Sequence, residues 1–428
     1  MSSPTLLQRL FSFRPLPSVP LAPPGLHHFM READGAVTRF HLRVERDGSG
    51  LLLANASLAA RLSPSGVFIA RALLSGEPEA EVLRRAGRSF RGATPAALRN
   101  DIARVKAILD NLAAPGDNYP ILNLEDAAFS PGLAELIAPL NADVPLASPE
   151  QMKPLIARLW EVGIPHLTVI APESPNPEHL VRAVERAEDT GLICGVRGRA
   201  TDLRLGLLLN DLAQAGVDHL NIFYAAARPD LHDPLFGGGD HAAAQDVFRR
   251  ALELEVCPVA EVPLVEANVH ELDETLAALS ALGVTNAAFF ALAEIKETAD
   301  GALGANALPQ AAARVEDAAN ANNVRYIWQP PVRRNPALTL AAQARLGPRC
   351  AGDVSVRVEP DGRVIPPRGP ARSAGNLLTD SWEAIWNHAE FRRYRERTLA
   401  PTHCDVCPGL AICAADCPRE PAGWAEGD

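Results

Sequence analysis

One pattern recurs three times in the middle of this chain: an amphipathic stretch, a glycine, then an apolar run. It reads LWEVGIPHLTVIA at 159–171, LAQAGVDHLNIFYA at 212–225 and LSALGVTNAAFFAL at 279–292. The glycine suits a helix C-terminus, where a left-handed residue closes the last turn. The apolar runs suit strands of a parallel sheet covered on both faces. Further apolar runs lie at Ile121–Leu124, Leu192–Val196, Val256–Val265 and Val324–Gln329. Seven strands alternating with helices over residues 119–335 predict an α/β fold with a full or partial (β/α) barrel. On such a barrel functional side chains gather at the carboxyl ends of the strands. That places Glu173, Arg197, Tyr224 and Glu294 together at one rim.

Charge and cysteine usage narrow the function. A formal net charge of −11 over 428 residues argues against a general nucleic-acid binder. No apolar run is long enough to predict a membrane span. The first thirty residues are broken by Arg9, Arg14 and several prolines, so no secretory h-region is expected and the reading is cytoplasmic. The first 193 residues hold no cysteine, whereas Cys404, Cys407, Cys413 and Cys417 fall in a C-x2-C-x5-C-x3-C cluster. An odd total of seven and a reducing compartment favour metal over disulfides. Four thiols so close in sequence can close around zinc or an iron–sulfur cluster.

Residues 1–35 read as an irregular Pro-rich arm. Residues 36–115 read as a small α/β module. Two alternating segments, Thr38–Arg46 and Gly50–Asn55, are split by the hairpin signal Asp47-Gly48. Helices follow near Ser65–Leu74, from Glu77, and from Thr94-Pro95, the last with Leu98, Ile102, Val105, Leu109 and Leu112 at helical spacing. The stretch LLLANASLAARLSPSGVFIARALLSGEPEAEVLRRAG, with turns at Leu62–Gly66 and Ser75-Gly76, resembles the PqqD-like RiPP recognition element, a winged-helix module. The resemblance implies a groove that takes the leader of a precursor peptide as an added strand.

Residues 347–428 form the last unit. Cys350 comes first, then a hairpin, DVSVRVEPDGRVIP, turned at Asp361-Gly362, then a helix carrying Trp382, Ile385, Trp386 and Phe391, then the cysteine cluster. The segments GNLLTDSWEAIWNHAEFRRYR and CDVCPGLAICAADC resemble the SPASM domain of radical SAM peptide-modifying enzymes. GVDHLNIFYAAARPDLHDPLFGGG resembles the fourth-strand region of the radical SAM barrel, with His232-Asp233 and Gly237 in the family's places.

The departures bear on activity. The family holds a [4Fe–4S] cluster on C-x3-C-x2-C just after its first strand, and that cluster chelates and cleaves SAM. The matching stretch here, ILNLEDAAFSPGLAELIAPLN, has neither thiol nor histidine. The family's Gly-Gly-Glu-Pro appears as Ala171-Pro172-Glu173-Ser174. Only Glu173 remains as a cofactor-contact candidate, and Pro172 lacks the backbone N–H of the glycine it replaces. SAM cleavage is therefore not expected, and no catalytic residue is assigned. Pro367 takes the place of the SPASM G-x4-C ligand, and no cysteine follows Cys417. The simplest closure is one site on Cys404, Cys407, Cys413 and Cys417, with Cys350 as alternative ligand. It would hold one [4Fe–4S] cluster or Zn2+, or stay empty.

The remaining candidates have bland readings. Cys194 and Cys257 read as small buried hydrophobes. His166 and His219 read as core or capping groups. His232-Asp233 and His241 flank FGGGDH, read as a flexible loop. Arg392, Arg393, Arg395 and Arg397 read as a solvated helix face. The function expected is a catalytically degenerate radical SAM/SPASM-like protein. It would bind a precursor peptide or a partner protein, such as an active radical SAM enzyme, as scaffold or specificity subunit. The alternatives are a metal- or iron–sulfur-containing enzyme or electron-transfer subunit using non-radical chemistry, and a structural subunit of a larger complex.

Overall fold

The computed structural model describes residues 22–33, 36–54, 58–90, 92–113, 136–291, 293–294, 303–304, 307–329, 337–346, 355–365 and 372–396. Most of the Pro-rich arm, the Ile121–Leu124 run, Cys350, Pro367 and the four clustered cysteines lie outside the described residues.

The N-terminal unit is an antiparallel sheet of β1 (Gly25–Ala33), β2 (Ala36–Val44), β3 (Gly50–Ala54) and β4 (Leu58–Leu62), in that order. The Asp47-Gly48 signal marks a real turn. Gly48 takes a left-handed φ of 84°, and the Asp47 carboxylate accepts the Ser49 N–H at 2.9 Å. Residues 25–33, expected within the irregular arm, instead pair with β2 over their whole length. Their own apolar pattern is weak; a strongly patterned neighbour supplies the pairing. Helices α1 (Pro64–Leu74), α2 (Glu79–Ser89) and α3 (Pro95–Ala113) cover one face of this sheet. Helix α1 starts as its sequence demands: the Ser63 hydroxyl accepts the Gly66 N–H, and Pro64 fills the first turn. Phe40, Leu42 and Leu52 pack there against Val67, Ile69, Ile102 and Leu109.

The larger unit alternates strands and helices. In chain order it runs β5 (Asn141–Pro145), α4 (Pro149–Val162), β6 (His166–Ile170), α5 (Pro177–Thr190), β7 (Ile193–Gly198), α6 (Ala200–Leu203), α7 (Leu208–Gln214) and β8 (His219–Phe223). Then come α8 (Pro229–Phe236), α9 (Asp240–Glu253), β9 (Cys257–Leu264), α10 (Leu272–Ala281), β10 (Asn286–Ala291), the short pair β11 (Ala293–Glu294) and β12 (Leu303–Gly304), α11 (Leu308–Ala321) and β13 (Arg325–Gln329). It ends with α12 (Leu340–Arg345), β14 (Ser355–Val358), β15 (Arg363–Ile365), β16 (Gly375–Asn376), α13 (Trp382–Trp386) and α14 (Ala389–Glu396). The three repeat glycines, Gly163, Gly216 and Gly283, all sit in the left-handed region.

Strands β13, β10, β9, β8, β7, β6 and β5 pair in parallel in that order, and β14–β15–β16 extend the sheet beyond β5. Among the described residues its two ends do not pair, so this is an open sheet and not a closed ring. The helices bury one face in a core reaching from Leu136 to Phe391. On the other face Cys257, Val259, Ala288 and Ile327 form a small separate cluster. Strand register puts Asn141, Asp143, His166, Thr168, Gly195, Arg197, His219, Asn221 and Glu261 on that inner face as well. No helix among the described residues is long and apolar enough to cross a membrane.

Candidate functional site

A run of polar side chains crosses the inner face from β5 to β9. At its amino-terminal end the His166 and His219 rings meet, Nε2 to Nε2, at 2.6 Å. They start equivalent strands, β6 and β8, and the strand between them offers Gly195. A Cβ on Gly195 would stand 2.0 Å from the His219 ring. Glycine there opens the slot in which the imidazole lies.

The donors and acceptors follow in sequence. Asn221 Nδ2 donates to Glu261 at 2.6 Å, which turns Asn221 Oδ1 towards His219 Nδ1, at 2.5 Å. His219 therefore carries its proton on Nδ1, and its bare Nε2 accepts from His166. Burial holds His166 well below the usual imidazole range and His219 down at about 4. The pair is neutral.

Arg197 occupies the carboxyl-terminal half of the same face. From β7 it reaches two strands away on either side, with Nη1 3.0 Å from Asp143 on β5 and Nε 3.1 Å from Glu261 on β9. Burial works against its charge, but the two carboxylates outweigh burial and raise its pKa. Asn141 braces Asp143 from below at 2.8 Å and accepts the Thr168 hydroxyl. One guanidinium thus ties three strands together across the inner face.

The expected rim is only partly assembled. Arg197 is in place. Glu173 stands outward with its side chain 81% exposed and pairs with Arg199 at 3.1 Å. Tyr224 turns the other way: it is fully buried among the helices and stacks on His241, with centroids 5.5 Å apart. Its position just past β8 places it on the helix side of the sheet. Glu294 lies on β11.

The stretch expected as a flexible loop is a built connection between α8 and α9. The Asp233 carboxylate accepts the N–H groups of Gly239 and His241 at 2.9 Å each. His232 and Asp240 are fully buried and hydrogen-bonded at 3.0 Å. Cys194 and Cys257 are buried as expected; burial pushes the Cys194 thiol well up and the Cys257 thiol to about 12, far from reactive. Arg392 is exposed. No group of three or more metal-ligating side chains occurs among the described residues.

Sequence reasoning missed the His166–His219 contact and the partners of Arg197. The repeat contained the first signal. Both histidines stand three residues after the helix-ending glycine, Gly163 or Gly216, and so at the same height two strands apart.

A family model for the SPASM domain, described as an iron–sulfur cluster-binding domain, matches residues 350–408. The fold is radical SAM/SPASM-like. SuiB of Streptococcus suis bound to the precursor peptide SuiA superposes with a TM-score of 0.58 at 12% identity, covering 91% of this chain and 95% of that one. SuiB bound to S-adenosylmethionine gives 0.56 at 12% identity over the same shares. The anSMEcpe structure with bound AdoMet and the Kp18Cys peptide gives 0.50 at 11% identity, over 68% of this chain and 92% of that one. No curated protein matches the sequence. The resemblance to these proteins is one of architecture.

Proposed function

We propose that this chain is a radical SAM/SPASM-like protein that has given up radical chemistry. It binds a precursor peptide or a partner protein, as scaffold or specificity subunit beside an active enzyme of peptide or protein maturation. One observation carries the reading. In the family the thiolates of the SAM-cleaving cluster follow the first barrel strand, and this chain has no cysteine before Cys194, neither in the matching stretch 121–141 nor between β5 and α4. The Arg197 strut supports the same reading, because it fills the inner face with ion pairs.

Peptide binding is supported by the N-terminal sheet, whose edge strands among the described residues are β1 and β4, the latter packed beside α1 and α3. An added strand there is how a PqqD-like module would take a leader. At the C-terminus, Cys404, Cys407, Cys413 and Cys417, with Cys350 in reserve, form a donor set that suits a thiolate-held [4Fe–4S] cluster or tetrahedral Zn2+. Either would staple that end of the chain. Any residual cofactor contact on the barrel would fall to Glu173.

The test is anaerobic. Reduced, metal-reconstituted protein incubated with SAM should give no 5′-deoxyadenosine above a protein-free control by mass spectrometry. The paired substitutions Cys404→Ser and Cys407→Ser should lower bound iron or zinc in the same preparations. Turnover of SAM to 5′-deoxyadenosine would end this reading.

A further inference from the structure

The N-terminal sheet sits on the amino-terminal ends of the barrel strands through a seam where polar side chains of β2 lie beside the buried Leu51 and Leu53 of β3. Strand β2 turns Phe40, Leu42 and Val44 towards its own helices and Arg39, His41 and Arg43 towards the barrel. Arg43, fully buried, donates to Glu45 at 2.6 Å and to the Pro139 carbonyl at 2.9 Å. The second Glu45 oxygen accepts the Ile137 N–H at 2.8 Å. Arg39 pairs with Glu188 and, at 3.4 Å, with Asp218. His41, 2% exposed, bonds to the Gly191 carbonyl at the end of α5. Its ring lies 5.0 Å from that of His28 on β1 and edge-on to Trp160 on α4.

We propose that this seam is a pH-sensitive latch: neutral His41 holds the N-terminal module on the barrel, and protonation of His41 releases it. The bonding forces the direction. Gly191 offers a carbonyl, so His41 Nε2 must donate, which leaves Nδ1 bare in the neutral ring. Nδ1 is buried with no hydrogen-bond partner. A second proton would go there, find no acceptor, and leave a buried cation beside Arg39 and His28. The carboxylates of the seam are taken. Glu188 and Asp218 both serve Arg39, Asp218 also accepts the Cys194 N–H, and Glu45 is held by Arg43 and Ile137.

Burial, above all, holds docked His41 down at about 4, with the charges of His28 and Arg39 adding to it against the Gly191 bond. His28 is lowered too, by burial and then Arg39, with Glu188 opposing. A released module carries an ordinary imidazole near 6.5. Between those values the released form takes up a proton that the docked form refuses. Docking is therefore fully present above about pH 6.5 and weakens as pH falls towards 4, by about tenfold at pH 5.5 for one proton. The module can leave as a unit. Its core, Ala22 to Leu112, and the barrel core, Leu136 to Phe391, are separate clusters, so release breaks the seam and neither core.

Hydrogen exchange on the full chain tests this, corrected for the intrinsic pH dependence of exchange. From pH 7.5 to 5.5, the peptide covering 136–140, whose Ile137 N–H is bonded across the seam to Glu45, should lose protection by about tenfold, while 36–45, 219–223 and 257–264, paired within their own sheets, keep theirs. His41→Gln keeps a donor for Gly191 without a titrating ring, so it should stay docked and lose the pH response. Seam protection unchanged at pH 5.5, loss in all four regions at once, or an intact response in H41Q would each overturn the latch. If H41Q does not fold, the wild-type comparison of seam against barrel decides alone.

Discussion

Gly195 acts through what it lacks. The His219 ring lies over its α-carbon, and a methyl there would stand 2.0 Å from a ring atom. Gly195→Ala must push the imidazole away from His166 or distort β7. Overpacking of this kind costs about 1–3 kcal/mol. A urea midpoint matching wild type would show that the slot is unimportant. The two histidines also carry a pH signature. Both are held below the usual imidazole range in the fold. Unfolded, they titrate near 6.5, so their stabilising share is whole above about that pH and is lost as acid approaches 4. The denaturation midpoint should fall between pH 7.5 and pH 5, and the double variant His166→Gln, His219→Gln should flatten that slope. An unchanged slope would place the titrating groups elsewhere.

At the scale of elements, the junction of α6, α8 and α9 depends on one buried carboxylate. Asp240 Oδ1 accepts the Thr201 N–H at 2.9 Å and its hydroxyl at 2.8 Å, and Oδ2 faces His232 Nε2 at 3.0 Å. His232 Nδ1 already accepts the Ala225 N–H at 3.0 Å. Its proton is therefore on Nε2, and the ring cannot switch tautomer. Asp240→Asn keeps the shape but turns an NH2 group onto that N–H, donor against donor. The cost expected is about 2 kcal/mol, read as a lower thermal midpoint with the fold retained; a variant as stable as wild type would refute this tautomer. Sequence pattern reached these elements unevenly. Strands β6, β8 and β10 each follow a helix-ending glycine and keep enough apolar residues, such as Leu167, Val169 and Ile170 in β6, to be legible. β5 reads Asn-Ala-Asp-Val-Pro because its inner positions, Asn141 and Asp143, belong to the polar network, so it carries no apolar run to detect. The partners of Arg197 were hidden for a related reason. Asp143 and Glu261 lie 54 and 64 residues away from it, and only parallel pairing sets them on one face.

For the whole molecule, the C-terminal unit is part of the barrel's fabric. β14 pairs in parallel with β5, and Val356, Val358, Val364, Leu377 and Trp386 lie in the same core as the barrel helices. Trp382 and Trp386 donate their indole N–H groups to the carbonyls of Ile137 and Leu136, just before β5, at 2.7 and 3.1 Å. Arg158 on α4 donates to the Leu377 carbonyl at 3.2 Å. A small domain that owes its fold to a metal unfolds when the metal is removed. In this one, the described segments 355–365 and 372–391 are held to the barrel by packing and hydrogen bonds of their own. If the Cys404–Cys417 cluster holds iron or zinc as proposed, chelation should strip it yet leave hydrogen-exchange protection in 355–365 and 382–391 intact. The barrel's thermal midpoint should move by less than about 4 °C, the shift expected of about 1 kcal/mol in a domain of this size. If those segments exchange freely once the metal is gone, the thiolate site and not the barrel interface is what folds them.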